Sequence, residues 1–316
     1  MAIFLVTGGA GFIGSNVSRS LVGLGHSVRV LDNLYTGFEK NLEDVQADVD
    51  FVNGSILNSD LLASSMAGVD YCLHLAAIPS VPRSINNPIA SNEANVEGSV
   101  RVYLAARDAG IKRVVSSSSS SVYGNNTVFP ATEDIPLSPI SPYAVSKMAA
   151  EHYAEVFSNL YDIDIVRLRY FNVFGPYQNP KSEYSAVIPK FIHLLLQGER
   201  PVIHGDGSQS RDFTFIENVV KANIGACDPE EPIAGAYNIA YGASTSVLEV
   251  ATELCSLLDI PPEFDFEPGR TGDVPRSLAS IEKAKETFGF DPAVDLQEGL
   301  RRTVEWYRGT YAASCL

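Results

Sequence analysis

Cysteine is scarce in this chain of 316 residues, and the four that occur, Cys72, Cys227, Cys255 and Cys315, lie far apart with no CxxC spacing. We therefore expect no disulfide framework and no cysteine-ligated metal, and interpret the thiols as reduced and mostly packed in the core. The five histidines also lack the spacing of metal ligands. The sequence thus predicts no metal site.

Basic residues are also few: the chain has 23 Lys and Arg against 38 Asp and Glu, which gives a formal net charge of −15. Nucleic acid and anionic membrane surfaces would be repelled, so neither is expected as a partner. No apolar run reaches the roughly 18 residues of a membrane-spanning helix. The first residues match a core strand rather than a signal peptide, which makes the cytoplasm the expected location.

A glycine-rich stretch follows the first apolar run, Ile3 to Val6, and precedes an apolar-periodic segment that extends to about Leu24. Gly8 permits a tight turn, Gly11 lets backbone N–H groups approach a pyrophosphate, and Gly14 allows a helix to pack closely on a strand. The pattern predicts a dinucleotide site with the phosphates at a helix N-terminus. The alternative is an ordinary strand-to-helix turn that merely needs glycines.

A second strand, Val28 to Asp32, ends in an acid. Its distance from the glycines is that at which a carboxylate accepts a hydrogen bond from the adenosine ribose 2′-hydroxyl. A 2′-phosphate would meet this negative charge, and no arginine follows immediately. The sequence therefore favours NAD over NADP.

Strand-like apolar runs alternate with helical patterns through the first half of the chain, as in a Rossmann-type, doubly wound parallel sheet of the α/β class. After Phe174 the alternation loosens, which predicts a smaller α/β C-terminal lobe at the carboxyl edge of the sheet. We expect an interleaved boundary. Residues 1–173 and 209–241 would form the NAD-binding domain, and residues 174–208 and 242–316 a second, ligand-binding lobe.

Tyr143 and Lys147 lie four residues apart in a segment that Ser141 can cap and Pro142 can start, so both side chains should share one helix face. A tyrosine that acts as a base near neutrality needs its pKa lowered by about three units, or roughly 4 kcal/mol. A positive charge at about 6 Å contributes on the order of 3 kcal/mol. We expect Lys147 and an oxidised nicotinamide ring together to lower the pKa of Tyr143. The alternative is an exposed helical pair without a role.

Six consecutive serines, Ser116 to Ser121, would suit a linker by composition alone. The flanking Val114-Val115 and Val122-Tyr123-Gly124 place them instead at the carboxyl end of a strand, where hydroxyls face a ligand. We expect one of these hydroxyls to share a substrate proton with Tyr143.

Eight motifs occur in order over nearly the whole chain: TGGAGFIGS, LDNLYTG, LHLAA, SSSVYG, SPYAVSK, LRYFNVFGP, AVIPKF and GDGSQSRDFTFIENVV. In these motifs the chain resembles the extended short-chain dehydrogenase/reductase superfamily and, within it, the UDP-hexose 4-epimerases. The resemblance implies an NAD retained through turnover, oxidation at C4 of a UDP-sugar, rotation of the 4-keto sugar and return of the hydride to the opposite face. It also implies a homodimer formed through segments 91–109 and 143–157.

The resemblance assigns catalytic roles to Ser119, with Ser118 and Ser120 as register alternatives, and to Tyr143 and Lys147. Besides the three glycines and Asp32, it places further residues at NAD: Phe12, Ile13, Asn33, Tyr35, Thr36, Gly37, Ile56, Leu75, Ala76, Ala77, Asn95 and Phe171. Ser55 stands where the family usually has an aspartate that contacts adenine, and its hydroxyl can still form a hydrogen bond.

The C-terminal lobe would bind the nucleotide sugar. Asn172 matches a residue that contacts the sugar and diphosphate, and Ala186 and Val187 match the uridine-binding segment. The remaining matches, which hold UDP, are Arg211, Arg270 and Asp273. A guanidinium suits a diphosphate because its hydrogen bonds can be bidentate, although a surface ion pair is the alternative for each arginine.

The choice of sugar depends on Ser277, which matches a gatekeeper beside the 2-substituent. A small residue there leaves room for an N-acetyl group. The segment that contains Ser80 and Arg83 also resembles the subgroup that acts on N-acetylhexosamines, although Pro79 replaces its usual glycine. We therefore expect interconversion of UDP-GlcNAc and UDP-GalNAc, with UDP-Glc and UDP-Gal as further substrates.

Ser120 and Ser121 discriminate between reactions, because dehydratases of the superfamily carry Asp-Glu there and serine supplies no acid for elimination. Ser116 and Ser117 replace residues that are commonly apolar, which predicts looser packing at this strand end. Two alternatives stay open: a UDP-glucuronate 4-epimerase, in which Arg83 would attract the carboxylate, and a non-catalytic NAD-binding regulatory protein.

Overall fold

The computed structural model describes residues 1–180, 186–269 and 275–314, the last four of these by their backbone alone. Its centre is a seven-stranded sheet made of β1 (Ile3–Thr7), β2 (Ser27–Asp32), β3 (Val49–Asn53), β4 (Tyr71–His74), β5 (Arg113–Ser119), β6 (Asp164–Tyr170) and β11 (Gly235–Ile239). The strand order is β11-β6-β5-β4-β1-β2-β3, and every neighbouring pair is parallel.

Short strands of two or three residues pair outside this sheet: β7 (Val173–Phe174) with β10 (Thr214–Phe215), β8 (Val202–His204) with β13 (Asp265–Glu267), and β9 (Ser210–Arg211) with β12 (Thr245–Ser246). The predicted doubly wound sheet is therefore confirmed, with smaller elements after Phe174. The division into two interleaved domains stays a prediction.

The helices alternate with the strands in the first half and pack against each other in the second. They are α1 (Phe12–Gly23), α2 (Ser59–Met66), α3 (Val81–Asn86), α4 (Pro88–Asn92), α5 (Gly98–Ala109), α6 (Pro142–Tyr161), α7 (Val187–Leu196), α8 (Ile216–Gly225), α9 (Val247–Leu258), α10 (Glu282–Phe288) and α11 (Leu296–Ser314). Two 3₁₀ segments span Glu39–Asp48 and Ser120–Tyr123, and a π-helical turn spans Glu93–Glu97. Within the described ranges, no helix is long and apolar enough to cross a membrane.

Apolar strands explain the core. Leu5, Val6, Val30, Val115 and Leu168 are completely buried, as expected for parallel strands covered by helices on both faces. Strand β1 lies between β2 and β4, and the chain proceeds from it in opposite directions across the sheet. The carboxyl ends of β1 and β4 therefore flank a topological switch point, where such sheets bind ligands.

Candidate functional site

A cavity of about 770 Å³ opens at the carboxyl ends of β1, β2, β4 and β5. Its size falls in the range of about 300–1,000 Å³ that is typical of ligand pockets. Its walls combine apolar side chains such as Leu31 and Ile56 with polar groups from the turn after β1 and from α6. The cavity lies at the switch point that the topology indicates.

The glycine turn forms one wall of this cavity because side chains do not fit there. Gly8 has a φ of +71°, and a Cβ on it would lie 2.7 Å from the backbone nitrogen of Ala76. A Cβ on Gly14 would lie 2.2 Å from the carbonyl oxygen of Gly8, so the first turn of α1 packs directly against the preceding loop. Gly11 is the N-cap residue of α1. The first residues of α1, Phe12, Ile13 and Gly14, line the cavity. The N–H groups of a first helical turn lack partners within the helix and suit an anion.

Asp32 ends β2 beside the glycine turn and is buried. Its carboxylate accepts the N–H of Ala10 at 2.9 Å and that of Leu34 at 2.8 Å. Burial raises the pKa of Asp32, and these two hydrogen bonds oppose the rise. The Asp32 carboxylate thus holds the glycine turn in place, and Asp32 also lines the cavity.

Helix α6 begins as its sequence predicts. Ser141 caps it by accepting the N–H of Ala144, and Pro142 is its first residue. Tyr143 and Lys147 consequently lie one turn apart and both line the cavity. The Lys147 Nζ donates to the carbonyl oxygen of Ser117 at 2.9 Å and to its hydroxyl at 3.3 Å.

Ser119 is the last residue of β5, and its hydroxyl accepts the N–H of Ser121 at 3.2 Å. Burial raises the pKa of Tyr143, and a hydrogen bond with the Ser119 side chain opposes that rise. We call Ser117, Ser119, Tyr143 and Lys147 the serine–tyrosine cluster. The structure thus brings the three predicted catalytic residues to one strand end.

The expected lowering of the Tyr143 pKa does not occur in the protein alone. Desolvation of the phenolate is the larger effect, so the pKa moves upward. Burial also lowers the pKa of Lys147 to about 8, while the nearby Glu151 carboxylate favours the charged ammonium. For Tyr143 to act as a base near neutrality, the favourable charge of Lys147 would have to be joined by groups that a ligand brings.

A buried ion pair supports the serine–tyrosine cluster from behind. Glu151, one turn after Lys147 on α6, accepts three hydrogen bonds from Arg169 of β6 and one from the Ser118 hydroxyl. Both charged side chains are 5% exposed. Arg169 also donates to the Tyr123 hydroxyl at 2.9 Å. The pair therefore connects α6 to the ends of β5 and β6.

The polar strand end is well packed, contrary to the prediction of loose packing. Ser116 and Ser118 are buried, and Ser116 shares a hydrogen bond of 2.8 Å with the hydroxyl of Tyr103. Ser117 holds Lys147, as described above. Each of these three hydroxyls has a partner, so none of them is left unsatisfied by burial.

A second group of predicted residues lies beyond β6. Asn172, with a φ of +28°, donates through its amide to the Asp212 carbonyl at 3.3 Å and to the Ser277 hydroxyl at 3.4 Å. Arg211 precedes Asp212 and donates to the Ser210 carbonyl. We call Asn172, Arg211 and Ser277 the loop cluster.

Asp212, whose carbonyl oxygen accepts from Asn172, is completely buried. Its carboxylate accepts the N–H groups of Tyr241, Gly242 and Ala279 and so joins the loop cluster to two further segments. Burial raises the pKa of this carboxyl to about 6. Asp212 lies in the SQSRDF segment, but no sequence pattern predicted a role for it.

Most of the predicted ligand-binding residues line the cavity. Besides Tyr143 and Lys147, they are Gly8, Gly11, Phe12, Ile13, Gly14, Asp32, Asn33, Tyr35, Thr36, Ser55, Ile56, Leu75, Ala76, Ala77, Ser80, Arg83 and Ala186.

Others lie off its wall for identifiable reasons. Asn95 is buried. Its side-chain oxygen accepts the N–H of Ile78, and its side-chain nitrogen donates to the Ile78 carbonyl and to the Ser146 hydroxyl. Phe171 is buried in a small apolar cluster with Val122 and Tyr123. Asn95 therefore holds the wall residue Ile78 from behind, whereas Phe171 belongs to the apolar core.

Gly37 and Val187 are also absent from the wall. Gly37 packs so closely on the glycine turn that a Cβ would lie 2.8 Å from Ala10. Val187 begins α7, behind Ala186. None of the three residues of the loop cluster lines the cavity, and Arg270 and Asp273 lie outside the described residues.

Two further wall residues were named in the sequence, Ser118 as a register alternative to Ser119 and Pro79 as a departure in the sugar pocket. No role was predicted for the other wall residues, although Leu31 and Tyr170 lie within motifs and Ser117 in the serine run. They are Leu31, Phe38, Gly54, Leu57, Ile78, Ala90, Glu93, Ala94, Ser117, Tyr170, Gln178 and Asn179.

Comparison with known proteins agrees with this geometry. The family described as the NAD dependent epimerase/dehydratase family matches residues 4–240. A UDP-glucose 4-epimerase of Mycolicibacterium smegmatis is 41% identical over 313 residues, which cover 96% of this chain and 98% of that protein.

Solved structures show the same architecture. The UDP-N-acetylglucosamine 4-epimerase of Methanobrevibacter ruminantium, in complex with UDP-N-acetylmuramic acid, has a TM-score of 0.94 at 38% identity and covers 98% of this chain and 99% of its own. The UDP-glucose 4-epimerase of Thermus thermophilus in complex with NAD has a TM-score of 0.89 at 34% identity, with 97% and 99% covered.

Proposed function

The chain belongs to the NAD dependent epimerase/dehydratase family, and we propose that it inverts C4 of UDP-hexoses, with UDP-GlcNAc and UDP-GalNAc as the preferred pair and UDP-Glc and UDP-Gal as further substrates. One observation carries the proposal: Ser119, Tyr143 and Lys147 meet at the end of β5, next to a cavity that begins at a glycine turn. The solved structures that share this architecture include a UDP-N-acetylglucosamine 4-epimerase and a UDP-glucose 4-epimerase.

The cofactor of the family is NAD, and the cavity fits it. A Cβ would fill the space at Gly8 and Gly14, the N-terminus of α1 suits the diphosphate, and Asp32 stands where an adenosine ribose binds. Lys147 would hold the nicotinamide ribose. Bound NAD supplies a hydride acceptor, and in its reduced form a hydride donor, for C4 of the sugar.

The protein's own groups handle the proton of the 4-hydroxyl. The Tyr143 phenol oxygen is proposed to take this proton and later to return it, with the Ser119 hydroxyl in its hydrogen-bond network. Lys147 is held by Ser117, and its pKa of about 8 keeps most of its ammonium charged at pH 7. That charge favours the phenolate that the reaction requires.

The absence of an acid beside Ser119 supports epimerisation over elimination. Ser120 and Ser121 occupy the 3₁₀ turn after β5, where the loss of a sugar hydroxyl would need a proton donor. A serine hydroxyl is too weak an acid for that role at neutral pH. The 4-keto sugar would therefore be reduced again on its other face rather than dehydrated.

The preference for N-acetylhexosamines is proposed from the loop cluster. The Ser277 hydroxyl accepts from the Asn172 amide, so a small side chain stands next to a residue expected to contact the sugar. A tyrosine at this position would occupy the volume of a 2-acetamido group. Ser80, at φ +98°, and Arg83 also lie in the segment that resembles this subgroup.

Proton NMR of the purified protein tests the proposal. UDP-GlcNAc, UDP-Glc and UDP-glucuronate are incubated separately, first without and then with added NAD, and the anomeric signal of the C4 epimer is followed. We expect UDP-GlcNAc to convert faster than UDP-Glc. The Tyr143→Phe variant, purified identically, controls for contaminating epimerases. No conversion of any substrate with NAD present would contradict the proposed function.

A second candidate, a UDP-glucuronate 4-epimerase, is favoured by one observation, because Arg83 lines the cavity and can attract a carboxylate. Its guanidinium lies 6.0 Å from the Tyr35 ring centroid. Conversion of UDP-glucuronate alone would select this candidate. Loss of that conversion in an Arg83→Gln variant would then identify the residue responsible.

We further propose that the protein is a homodimer. Helix α6 exposes Val145, Val156 and Leu160, and α4 exposes Ile89, with relative exposures between 47% and 70%. Such a stripe of apolar side chains suits pairing with the same helices of a second copy. Sedimentation equilibrium should give twice the chain mass, and a Val156→Glu, Leu160→Glu variant should give one chain mass.

A further inference from the structure

The adenosine end of the cavity lies on the side of β2 and β3. Asp32 ends β2, and the residues after β3, Ser55 and Ile56, line the same wall. In a doubly wound sheet, the acid at the end of the second strand binds the adenosine ribose. The adenine ring should therefore lie beside the end of β3, where its amine needs a hydrogen-bond acceptor.

The polar side chains at this end already serve the local backbone. Both oxygens of Asp32 accept main-chain N–H groups. The Asn33 carbonyl oxygen accepts the N–H of Tyr35 at 3.1 Å, and the Ser55 hydroxyl accepts the N–H of Leu57 at 3.2 Å. These hydrogen bonds hold the turns, so each of the three side chains already has a main-chain partner before a ligand binds.

Glu93 supplies a different acceptor on the same wall. It begins the π-helical turn Glu93–Glu97 and lines the cavity together with Ala90 and Ala94. The side chain of Ile56 packs beside this turn. A Cβ placed on Gly98, which follows the turn, would lie only 2.5 Å from Ile56 Cδ1 and 3.6 Å from the Glu93 carbonyl oxygen. Interruptions of a helix by a π turn occur frequently at functional sites.

The carboxylate of Glu93 is exposed, and within the described parts of the chain it has no hydrogen bond or ion pair. The other acid of the π turn differs, because Glu97 pairs with Arg101 at 2.7 Å. An ionised carboxylate only accepts hydrogen bonds, whereas the exocyclic amine of adenine donates them.

We propose that the Glu93 carboxylate accepts a hydrogen bond from the exocyclic amine of adenine and makes the site selective for an adenine dinucleotide. The inference rests on the proposed NAD-dependent function and adds a specificity residue to it. A base with an oxygen in place of the amine would put two acceptors face to face, which weakens binding.

Binding of two dinucleotides to the cofactor-depleted full chain tests this directly. Dissociation constants are measured by calorimetry for NAD and for nicotinamide hypoxanthine dinucleotide, which carries an oxygen in place of the amine. We expect the unmodified protein to prefer NAD by about tenfold. The Glu93→Gln variant should narrow this preference to about twofold, since an amide can donate to the oxygen. Glu97→Gln, on the same turn, should keep the full preference.

An unchanged preference in Glu93→Gln would overturn the inference. So would a preference that disappears in Ser55→Ala but not in Glu93→Gln, because the serine would then be the group that recognises the base. Failure of the unmodified protein to bind either dinucleotide would instead contradict the proposed function on which the inference rests. Circular dichroism of each variant verifies that the fold is retained.

Discussion

The serine–tyrosine cluster and the loop cluster are built from different kinds of structure. Tyr143 and Lys147 lie on one long helix, and Ser117 and Ser119 end a central strand of the sheet. Behind them, the buried Glu151 carboxylate joins helix to sheet with several charge-assisted hydrogen bonds. This cluster can hold reacting groups in place without help from a ligand.

The loop cluster instead joins segments that are far apart in the chain. Asn172 and Ser277 are separated by 105 positions, and their hydrogen bond measures 3.4 Å. Arg211 lies on a two-residue strand. Residues on connecting segments tolerate substitution better than residues on a packed helix. Under the proposed function, we therefore expect the sheet and α6 to fix the reaction and the loops to determine the choice of sugar.

Tyr143→Phe is expected to give the largest effect, because it removes the proposed acid–base group from the rigid cluster. The epimerisation rate should fall about 10³-fold, or roughly 4 kcal/mol in activation free energy. Single-turnover NMR measures the rate. Tyr153→Phe, at a 45% exposed tyrosine of the same helix, should leave the rate unchanged. A rate within tenfold of the parent would exclude Tyr143 as the proton acceptor.

Glu151→Gln tests the ion pair behind the cluster. It leaves the Arg169 charge buried without its carboxylate, and should lower the free energy of unfolding by about 3 kcal/mol. Urea denaturation measures this. The matched control is Glu155→Gln, one turn further along α6, where the carboxylate is 60% exposed and 3.4 Å from Arg167. There the loss should stay within about 0.5 kcal/mol. Equal losses in both variants would show that burial of the first pair is unimportant.

Ser277→Tyr addresses the loop cluster alone. The ratio of kcat/KM for UDP-GlcNAc to that for UDP-Glc should fall about 30-fold, or roughly 2 kcal/mol, because the ring occupies the space of the acetamido group. Ser277→Ala, which keeps the position small, should leave this ratio near its parent value. If both substrates slowed equally in the tyrosine variant, the position would not determine the choice of sugar.

A smaller effect is expected from pH through His74, which bridges β1 and α5. The two ring nitrogens of His74 form hydrogen bonds with the hydroxyls of Thr7 and Ser99. Burial lowers the pKa of His74 from an ordinary 6.5 to about 3. Below pH 6.5 the unfolded chain binds a proton that the folded chain excludes, so stability falls as the pH falls. Between about pH 7 and about pH 5.5 the loss should be about 1 kcal/mol.

Urea midpoints at the two pH values measure this difference. His74→Asn should remove that part of the pH dependence, and His152→Asn, at an exposed histidine of α6, should retain it. If the slope were the same in both variants, groups other than His74 would cause the acid destabilisation.

The glycine turn and α6 could be predicted because their signals are local. Gly8, Ser141 and Pro142 act through the backbone of their own turn, and an interval of four residues puts Tyr143 and Lys147 on one face of any helix. The parallel sheet also followed from the alternation of strands with helices. Ligand roles assigned through the family resemblance stay predictions for the individual residues.

Only the tertiary structure decided the rest. That Lys147 is held by Ser117, that Asn95 lies behind the wall rather than on it, and that the pKa of Tyr143 rises all depend on which groups pack around each side chain. Helical spacing is a property of the backbone and needs no partner. Desolvation and hydrogen bonds between distant positions are properties of the assembled fold, so no short stretch of sequence contains them.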